Sequence, residues 1–346
     1  MKNLEFRRIE NFKELDSFVN SSNYRYFTQT SSWYEFLKSV GKEVDVIGGY
    51  NDNELVISAL VQVETSRFGK IIYLQRAPIL DWQSDENNNY VKQLLNYLQV
   101  QYNPVFVRMD PYVLEEEKNT VDYIKKIGFK DAEGFWMPYR CWVIELKGST
   151  EEKILSDMRK NHRYYVRKGE KAGLDIYNSK DLADMQEFVD MLHKLSIRKG
   201  FVAHSKEYLL KQFEIMSLRD DNFRLYVAKK DGKLIAGAVV SFYEYEAAYI
   251  HGASDDPENT FAPYTLQWVM IKEALNAGIQ RYNFWGVVED KNYVPSYPGY
   301  GYSNFKKGFG GYLRLYIKPQ DYVFKPIQYL LFNLQEKYRK WKFKGN

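Results

Sequence analysis

The sequence predicts an α/β protein of the α+β kind, built as two tandem units of one design. Three observations lead there. A chain of 346 residues is too long for one ordinary domain and suits two. Hydrophobic residues make up 45% of it, enough for two cores. The third observation is an order of elements, helix, helix, hairpin, strand, helix, strand, that can be read twice.

In the first reading, Phe12 to Asn20 and Ser31 to Val40 carry helical spacing, the latter with Trp33, Phe36 and Leu37 on one face. Val44 to Tyr50 and Leu55 to Glu64 read as strands around the turn Asn51-Asp52-Asn53. Lys70 to Leu74 is a short strand, and Asn87 to Gln101 a helix with Val91, Leu94, Leu95 and Leu98 at helical spacing. Val105 to Met109 is a strand that runs into Asp110-Pro111. After a further helix, the strand Trp142 to Leu146 is expected to close a first domain of residues 1-146.

In the second reading, Thr150 to Ala172 predicts one long helix, capped by Ser149 or Thr150 with Glu151 and Glu152 in its first turn. Leu182 to Lys199 is the next helix. Phe223 to Lys229 and Leu234 to Tyr243 pair across the turn Lys230-Asp231-Gly232-Lys233. Ala247 to Gly252 is a strand, Tyr264 to Ala277 a helix and Arg281 to Phe284 a strand, giving a second domain of residues 147-316. A final helix, Pro326 to Trp341, has Ile327, Leu330, Leu331, Leu334, Tyr338 and Trp341 on one face. The segment 317-346 is expected to pack back on the first domain. This order is that of the acetyltransferase-like (GNAT-like) unit, so the expected fold is two tandem GNAT-like domains with a cleft between them.

Composition narrows the function. The single cysteine, Cys141, excludes an internal disulfide and fits a reducing compartment. It lies in the apolar run Cys141-Trp142-Val143-Ile144, which favours a buried structural thiol over a catalytic one. The charged start Met1-Lys2-Asn3-Leu4-Glu5-Phe6 lacks the apolar core of a signal peptide, and no run of about 18 apolar residues could span a bilayer. A cytoplasmic protein is expected. Thirty Tyr and 21 Phe are more aromatics than cores alone require, so clefts or surfaces must use some. The four histidines, His162, His193, His204 and His251, show no metal-ligand spacing, and no metal is expected. No Walker, Rossmann or Gly-x-Ser-x-Gly motif is present, so neither ATP nor NAD chemistry is indicated and no cofactor is expected.

The stretch Gly299 to Gly311 is the richest in chemistry. It combines glycines that let backbone approach a ligand, aromatics such as Tyr302 and Phe305 that can line a cleft, and two lysines, Lys306 and Lys307, that can meet negative charge. Further back, Arg159, Arg163, Arg167 and Lys171 fall at i, i+4, i+8 and i+12 of the expected helix, four cations on one stripe. A solvated face explains such a run. Tyr164 and Tyr165 beside it add a nucleic-acid reading, because rings stack bases while arginine meets phosphate.

Other positions carry a functional and a structural reading side by side. Asp110 ends a strand where mixed sheets expose catalytic groups, and Asp-Pro is also a common turn opener. Arg76, before Ala77-Pro78, can reach a cleft or remain a surface arginine. Arg198 can bind an anion or only complement a helix C-terminus. His251 can be a strand-end base or a packed histidine. Asp255 to Tyr264 holds no glycine and three acids where an acetyltransferase cradles the coenzyme A pyrophosphate. The fold is therefore acetyltransferase-like with a different donor.

Several stretches together resemble the Fem peptidyltransferases, which build peptidoglycan cross-bridges from aminoacyl-tRNA. They are Gln29 with Trp33, Arg76-Ala77-Pro78, Arg108-Met109-Asp110-Pro111, Gly128-Phe129 and the basic helix from Arg159 to Gly173. They continue with Tyr249 to Ser254, Thr265 to Trp268, Tyr282 to Gly286, and Phe305-Lys306-Lys307-Gly308-Phe309-Gly310-Gly311, the FKxxFG signature. No long heptad-patterned insertion is present, so the compact members without a coiled-coil arm are the better likeness. The family pattern usually has Gly where Ala77 stands and Asp where Asn283 stands.

The resemblance implies that a stem-peptide amine of a peptidoglycan precursor, UDP-MurNAc-pentapeptide or lipid II, attacks the ester of an aminoacyl-tRNA. Lys306 then stabilises the oxyanion, Phe305 shapes the acceptor-end pocket and Asp110 lies near the attacking amine. Lys38 and Arg198 become candidates for the precursor diphosphate with Tyr249 beside them, and Arg76 and Tyr302 further substrate contacts. Arg159, Arg163, Arg167 and Lys307 become tRNA contacts. An acyl transferase of the same fold acting on a polysaccharide, antibiotic or protein amine, or a noncatalytic binding homologue, competes with this reading. The mixed basic and aromatic end Lys337 to Lys344 suits either contact with the inner membrane face or a frayed helix end, and nothing requires more than a monomer.

Overall fold

The computed structural model describes residues 3–84, 89–134, 136–256 and 258–344, apart from the side chains of residues 340–344. Along the chain run β1 (Glu5–Arg8), α1 (Phe12–Ser21), α2 (Ser31–Ser39), β2 (Glu43–Asn51), β3 (Glu54–Ser66), β4 (Gly69–Gln75), α3 (Tyr90–Tyr102), β5 (Phe106–Asp110), α4 (Lys118–Ile127) and β6 (Lys130–Asp131). Next come β7 (Arg140–Glu145), α5 (Glu151–Asp157), α6 (Lys160–Gly169), β8 (Asp175–Ser179), α7 (Leu182–Lys199), α8 (Lys206–Gln212), β9 (Phe223–Lys230), β10 (Lys233–Tyr243) and β11 (Glu246–Ser254). The chain finishes with α9 (Ala262–Asn276), β12 (Arg281–Gly286), α10 (Tyr300–Lys307), β13 (Tyr312–Leu315), β14 (Gln320–Val323) and α11 (Pro326–Lys344).

These elements form two units, Met1–Tyr139 with Leu315–Asn346, and Arg140–Arg314. Each has one seven-stranded sheet, in the orders β1-β2-β3-β4-β5-β14-β6 and β13-β7-β12-β11-β10-β9-β8. The two orders correspond strand for strand, with a parallel junction at β4/β5 and again at β11/β12. The duplicated pattern is therefore a duplicated topology.

Alternation explains the strands. In β3, Ile57, Ala59, Val61 and Val63 enter a core that also holds Leu94 and Leu98 of α3 and Met109 of β5. In the second unit α9 supplies Leu266, Met270, Ile271 and Ala274 to a core with Ala236, Ala238 and Val240 of β10 and Tyr282 and Phe284 of β12. Helix starts follow capping chemistry. The Thr30 hydroxyl accepts from the Trp33 amide at 3.3 Å, and the Thr150 hydroxyl from the Lys153 amide at 3.2 Å.

The structure differs from the sequence reading in several elements. The division falls after Tyr139 instead of 146, because Arg140–Glu145 pairs antiparallel with β12, Tyr282 opposite Ile144. The helix expected from Thr150 to Ala172 is two helices. Met158 and Arg159 are extended (ψ 150° and 148°), Met158 is buried, and the Arg159 amide donates to the Gly308 carbonyl at 2.9 Å. The Gly299 to Gly311 stretch is largely the helix α10. The helix expected from Asn87 starts at Tyr90, and residues 85–88 lie outside the described residues.

The segment from Leu315 belongs to the first unit, where β14 pairs with β5. Asp321 on β14 is fully buried, and the Arg108 guanidinium of β5 donates to it twice, at 2.7 and 2.8 Å. The Tyr329 hydroxyl of α11 donates to the same carboxylate at 2.9 Å. Tyr329 and Phe332 pack α11 onto Ile71, Val105 and Phe106. The face shared by Ile327, Leu330, Leu331, Leu334 and Tyr338 is not the one packed on the first unit and stays exposed. Trp341, and the side chains beyond it in the basic tail, lie outside the described residues.

Candidate active site

The two strands of the second unit's parallel junction separate early. β11 and β12 pair only from Glu246/Arg281 to Ala248/Asn283, while β12 stays paired with β7 and bends through a register shift after Asn283 that sets Gly286 opposite Cys141. Trp285 at this bend has φ +70°, a left-handed conformation unusual for a bulky residue. Asn283 holds the bend: its side-chain oxygen accepts from the Trp285 amide at 2.8 Å, and its NH2 donates to Glu246 at 3.0 Å. An aspartate could not make the second of these bonds, so the amide of Asn283 is used locally.

The bend aims the Gly286 carbonyl at α10, where Lys306 donates to it at 2.7 Å. Lys306 is 8% exposed, and among the described residues no carboxylate pairs with it. Burial pulls its pKa from the ordinary 10.5 down to about 7, with Cys141 opposing slightly. Tyr302, half exposed, lies 5.1 Å from the ammonium by its ring centroid. A buried ammonium held by neutral groups among the described residues is available to a developing negative charge.

Behind Lys306 sits an aromatic cluster. The His162 Nε2 donates to the Phe305 carbonyl at 3.0 Å, and its ring meets Tyr264 and Phe309 edge-on at 5.0 Å each. Burial lowers the His162 pKa. Phe305 packs on Tyr264 and Phe309, both at 5.1 Å, and is only partly buried. Sequence reading missed His162, although a lone histidine inside a basic helix was its visible signal. The glycines of this stretch serve the protein's own backbone more than a ligand's. A Cβ on Gly308 would lie 1.9 Å from the His162 ring, and one on Gly311 would lie 2.1 Å from the Val143 carbonyl.

The expected four-cation stripe is not a free one. Arg159 donates to the Asn304 side chain at 2.6 Å, and Arg163 turns back to the Ser156 and Met158 carbonyls, the former at 2.7 Å. Those carbonyls end α5, so the break in the helix supplies partners for the cations that follow it. Arg167, Lys168 and Lys171 remain exposed, next to Tyr164. Lys307 lies 3.9 Å from the Tyr293 ring centroid and 3.8 Å from Asp290.

The α9 N-terminus is capped by a residue of the acidic stretch. Asp256 accepts from the Thr260 amide at 2.9 Å and the Ala262 amide at 3.3 Å, so a carboxylate occupies the place of a phosphate. Pro263 in the first turn removes another amide donor. A pyrophosphate has no cradle there.

Arg198 closes α7 and is exposed, donating to the Ser254 carbonyl at 3.4 Å and lying 3.7 Å from Asp255 at the end of β11. Tyr249 of β11 packs against the core and lies over Gly252, and burial raises its pKa to about 12. His251 is held neutral, its pKa lowered to about 3 by burial and by His204, which makes it a poor base. Cys141 is buried.

In the first unit, Arg76 is neither at the surface nor open to a cleft. It is 1% exposed, donates to the Pro138 carbonyl at 2.7 Å and lies 4.6 Å from the Tyr316 ring centroid, with Tyr26 and Tyr112 both at 5.6 Å. Asp110 is also buried, accepting from the Arg76 amide at 2.8 Å and the Met137 amide at 3.3 Å. Burial raises its pKa to about 6, against the pull of Arg76. Asp110 thus fastens the end of β4 to the loop before β7. Lys38 on α2 is exposed.

The FemAB family profile matches residues 11–229 and 209–337. The chain belongs to the FemAB family. Its curated relatives include Aminoacyltransferase FemB of Staphylococcus epidermidis, 25% identical over 94% of this chain and 97% of that protein. Aminoacyltransferase FemA of Staphylococcus aureus is 24% identical over 91% and 94%. The solved structure of FemX superposes with a TM-score of 0.84 at 20% identity, covering 94% of this chain and 99% of FemX. A tandem GNAT protein from the clavulanic acid pathway gives 0.58 at 11% identity, over 93% and 98%. The tandem GNAT-like fold is thus shared, and this FemAB member carries it with an acidic cap in place of a phosphate cradle.

Proposed function

We propose that this chain is an aminoacyltransferase that moves an amino acid from aminoacyl-tRNA to the stem-peptide amine of a peptidoglycan precursor, in cell-wall cross-bridge synthesis. The observation that carries the reading is Lys306, buried, paired with no carboxylate among the described residues and held by the Gly286 carbonyl, within a family whose curated members are named aminoacyltransferases.

The precursor amine attacks the ester carbonyl of the charged tRNA. An amide C–N bond forms, the ester C–O bond breaks, and the amine proton ends on the ribose oxygen. The ester is already activated, so the protein's task is to orient the reactants and stabilise the oxyanion. Lys306 takes the second task and Phe305, on the wall beside it, the tRNA acceptor end. Asp110 orients the approach of the amine through the backbone it fixes. Lys38, Arg198 and Tyr249 meet the precursor diphosphate, and Tyr302 lines the lysine's approach. Arg76 contributes by holding its loop. Arg167 is the leading tRNA contact, with Arg159, Arg163 and Lys307 partly committed to protein partners. The protein acts as a monomer in the cytoplasm, where charged tRNA is found, with peripheral contact at the inner membrane face.

The test combines purified protein, a pool of charged tRNAs and either UDP-MurNAc-pentapeptide or lipid II, with mass spectrometry of the precursor. A product heavier by one amino-acid residue, lost on RNase treatment, is expected. Folded protein giving no product with either acceptor would refute the reading and favour a different amine.

A further inference from the structure

We infer that the outward face of α11 is a docking surface for an anionic phospholipid bilayer. Ile327, Leu330, Leu331, Leu334 and Tyr338 recur at helical spacing and are 73, 58, 43, 54 and 61% exposed. The opposite side of the helix, with Tyr329 and Phe332, is the side packed on the first unit. Single exposed leucines are ordinary, but a contiguous apolar row on a well-anchored helix marks an interaction site.

Charge identifies the occupant. Residues 326–344 contain Lys337, Arg339, Lys340, Lys342 and Lys344 against one acid, Glu336. All five cations lie in the last eight positions of the helix. Lys337 pairs with Glu133 at 2.8 Å and Arg339 with Glu336 at 2.9 Å, but both pairs are exposed and readily exchanged for lipid phosphate. An apolar stripe running into a cationic end is the pattern of a helix lying in the interface of an anionic membrane. A nucleic acid would satisfy the cations and leave the stripe in water. A second copy would need roughly 800 Å² from each partner, more than five side chains of one helix offer. The mount is firm, because Tyr329 is bonded to the buried Arg108–Asp321 pair.

The inference does not depend on the transfer reaction. The test is cosedimentation of the full chain with vesicles of phosphatidylglycerol and phosphatidylcholine in equal parts, and with vesicles of phosphatidylcholine alone. Binding to the mixed vesicles should exceed binding to the neutral ones at least tenfold. The Leu330→Gln/Leu331→Gln/Leu334→Gln variant should lose at least tenfold on the mixed vesicles, melt like the wild type and keep its turnover on a soluble acceptor. Failure of the wild type to bind, or equal binding by the variant, would overturn the inference. So would a dimer in sedimentation velocity that the triple substitution dissociates, since the face would then be a self-interface.

Discussion

The Lys306 ammonium donates to the Gly286 carbonyl at 2.7 Å, and burial holds its pKa at about 7. The group is thus kept at a cost to folding. Between about pH 7 and its ordinary value of 10.5 the unfolded chain binds this proton and the folded chain does not, so the lysine's contribution to stability rises with pH through that window. Lys306→Met should therefore melt above the wild type at pH 6, by on the order of a few kcal/mol, with the gap closing toward pH 10. Thermal melts of both proteins across that range check it, and parallel curves would contradict the burial of a charge.

The basic helix divides into cations bonded to protein carbonyls and side chains, Arg159 and Arg163, and cations left exposed, Arg167 among them. Arg167→Gln should weaken tRNA binding and reduce its salt slope by about one, as expected for one phosphate contact. Arg163→Gln should instead lower stability by about 0.5–1.5 kcal/mol, because the Ser156 and Met158 carbonyls exchange a guanidinium donor for water. Filter binding at several salt concentrations, beside urea melts, separates the two. Interchanged effects would reverse the assignment.

Gly311 has φ +88°, and a Cβ there would meet the Val143 carbonyl at 2.1 Å. Gly311→Ala should destabilise the second unit by more than about 1 kcal/mol, whereas Gly301→Ala, with open space around it, should not. Urea denaturation of the two variants measures the contrast. Equal stability would show that this glycine serves something other than close packing on β7.

Removing the Asp321 carboxylate leaves Arg108 charged and buried without its partner. Asp321→Ala should cost about 3–5 kcal/mol, and Tyr329→Phe about 1 kcal/mol. Hydrogen exchange should show the loss spreading through β14 and α11. An Asp321→Ala variant as stable as the wild type would mean that another group compensates the guanidinium.

Apolar spacing made both sheets and most helices legible, because β2, β3, β9 and β10 are short apolar runs bounded by turn residues and α3 and α9 carry apolar positions at helical spacing. It missed the break at Met158, since that residue is apolar and in phase and the cause is a distant carbonyl, that of Gly308. The short edge strands β1 and β8 were invisible because half-exposed residues give little alternation. Around the site, the sequence picked out Lys306 by its neighbours, but its Gly286 carbonyl partner depends on a left-handed Trp285 that no local pattern announces. Arg76 was misjudged for a related reason: its cage comes from Tyr26, Tyr112 and Tyr316, three rings far apart in the chain.

The most direct test of the central claim is single-turnover transfer by Lys306→Met from a purified aminoacyl-tRNA to the acceptor that the wild type uses. The variant should stay folded, bind charged tRNA as before and lose transfer by at least 100-fold, the order of effect of removing one oxyanion donor. Near-wild-type transfer would contradict the role given to Lys306.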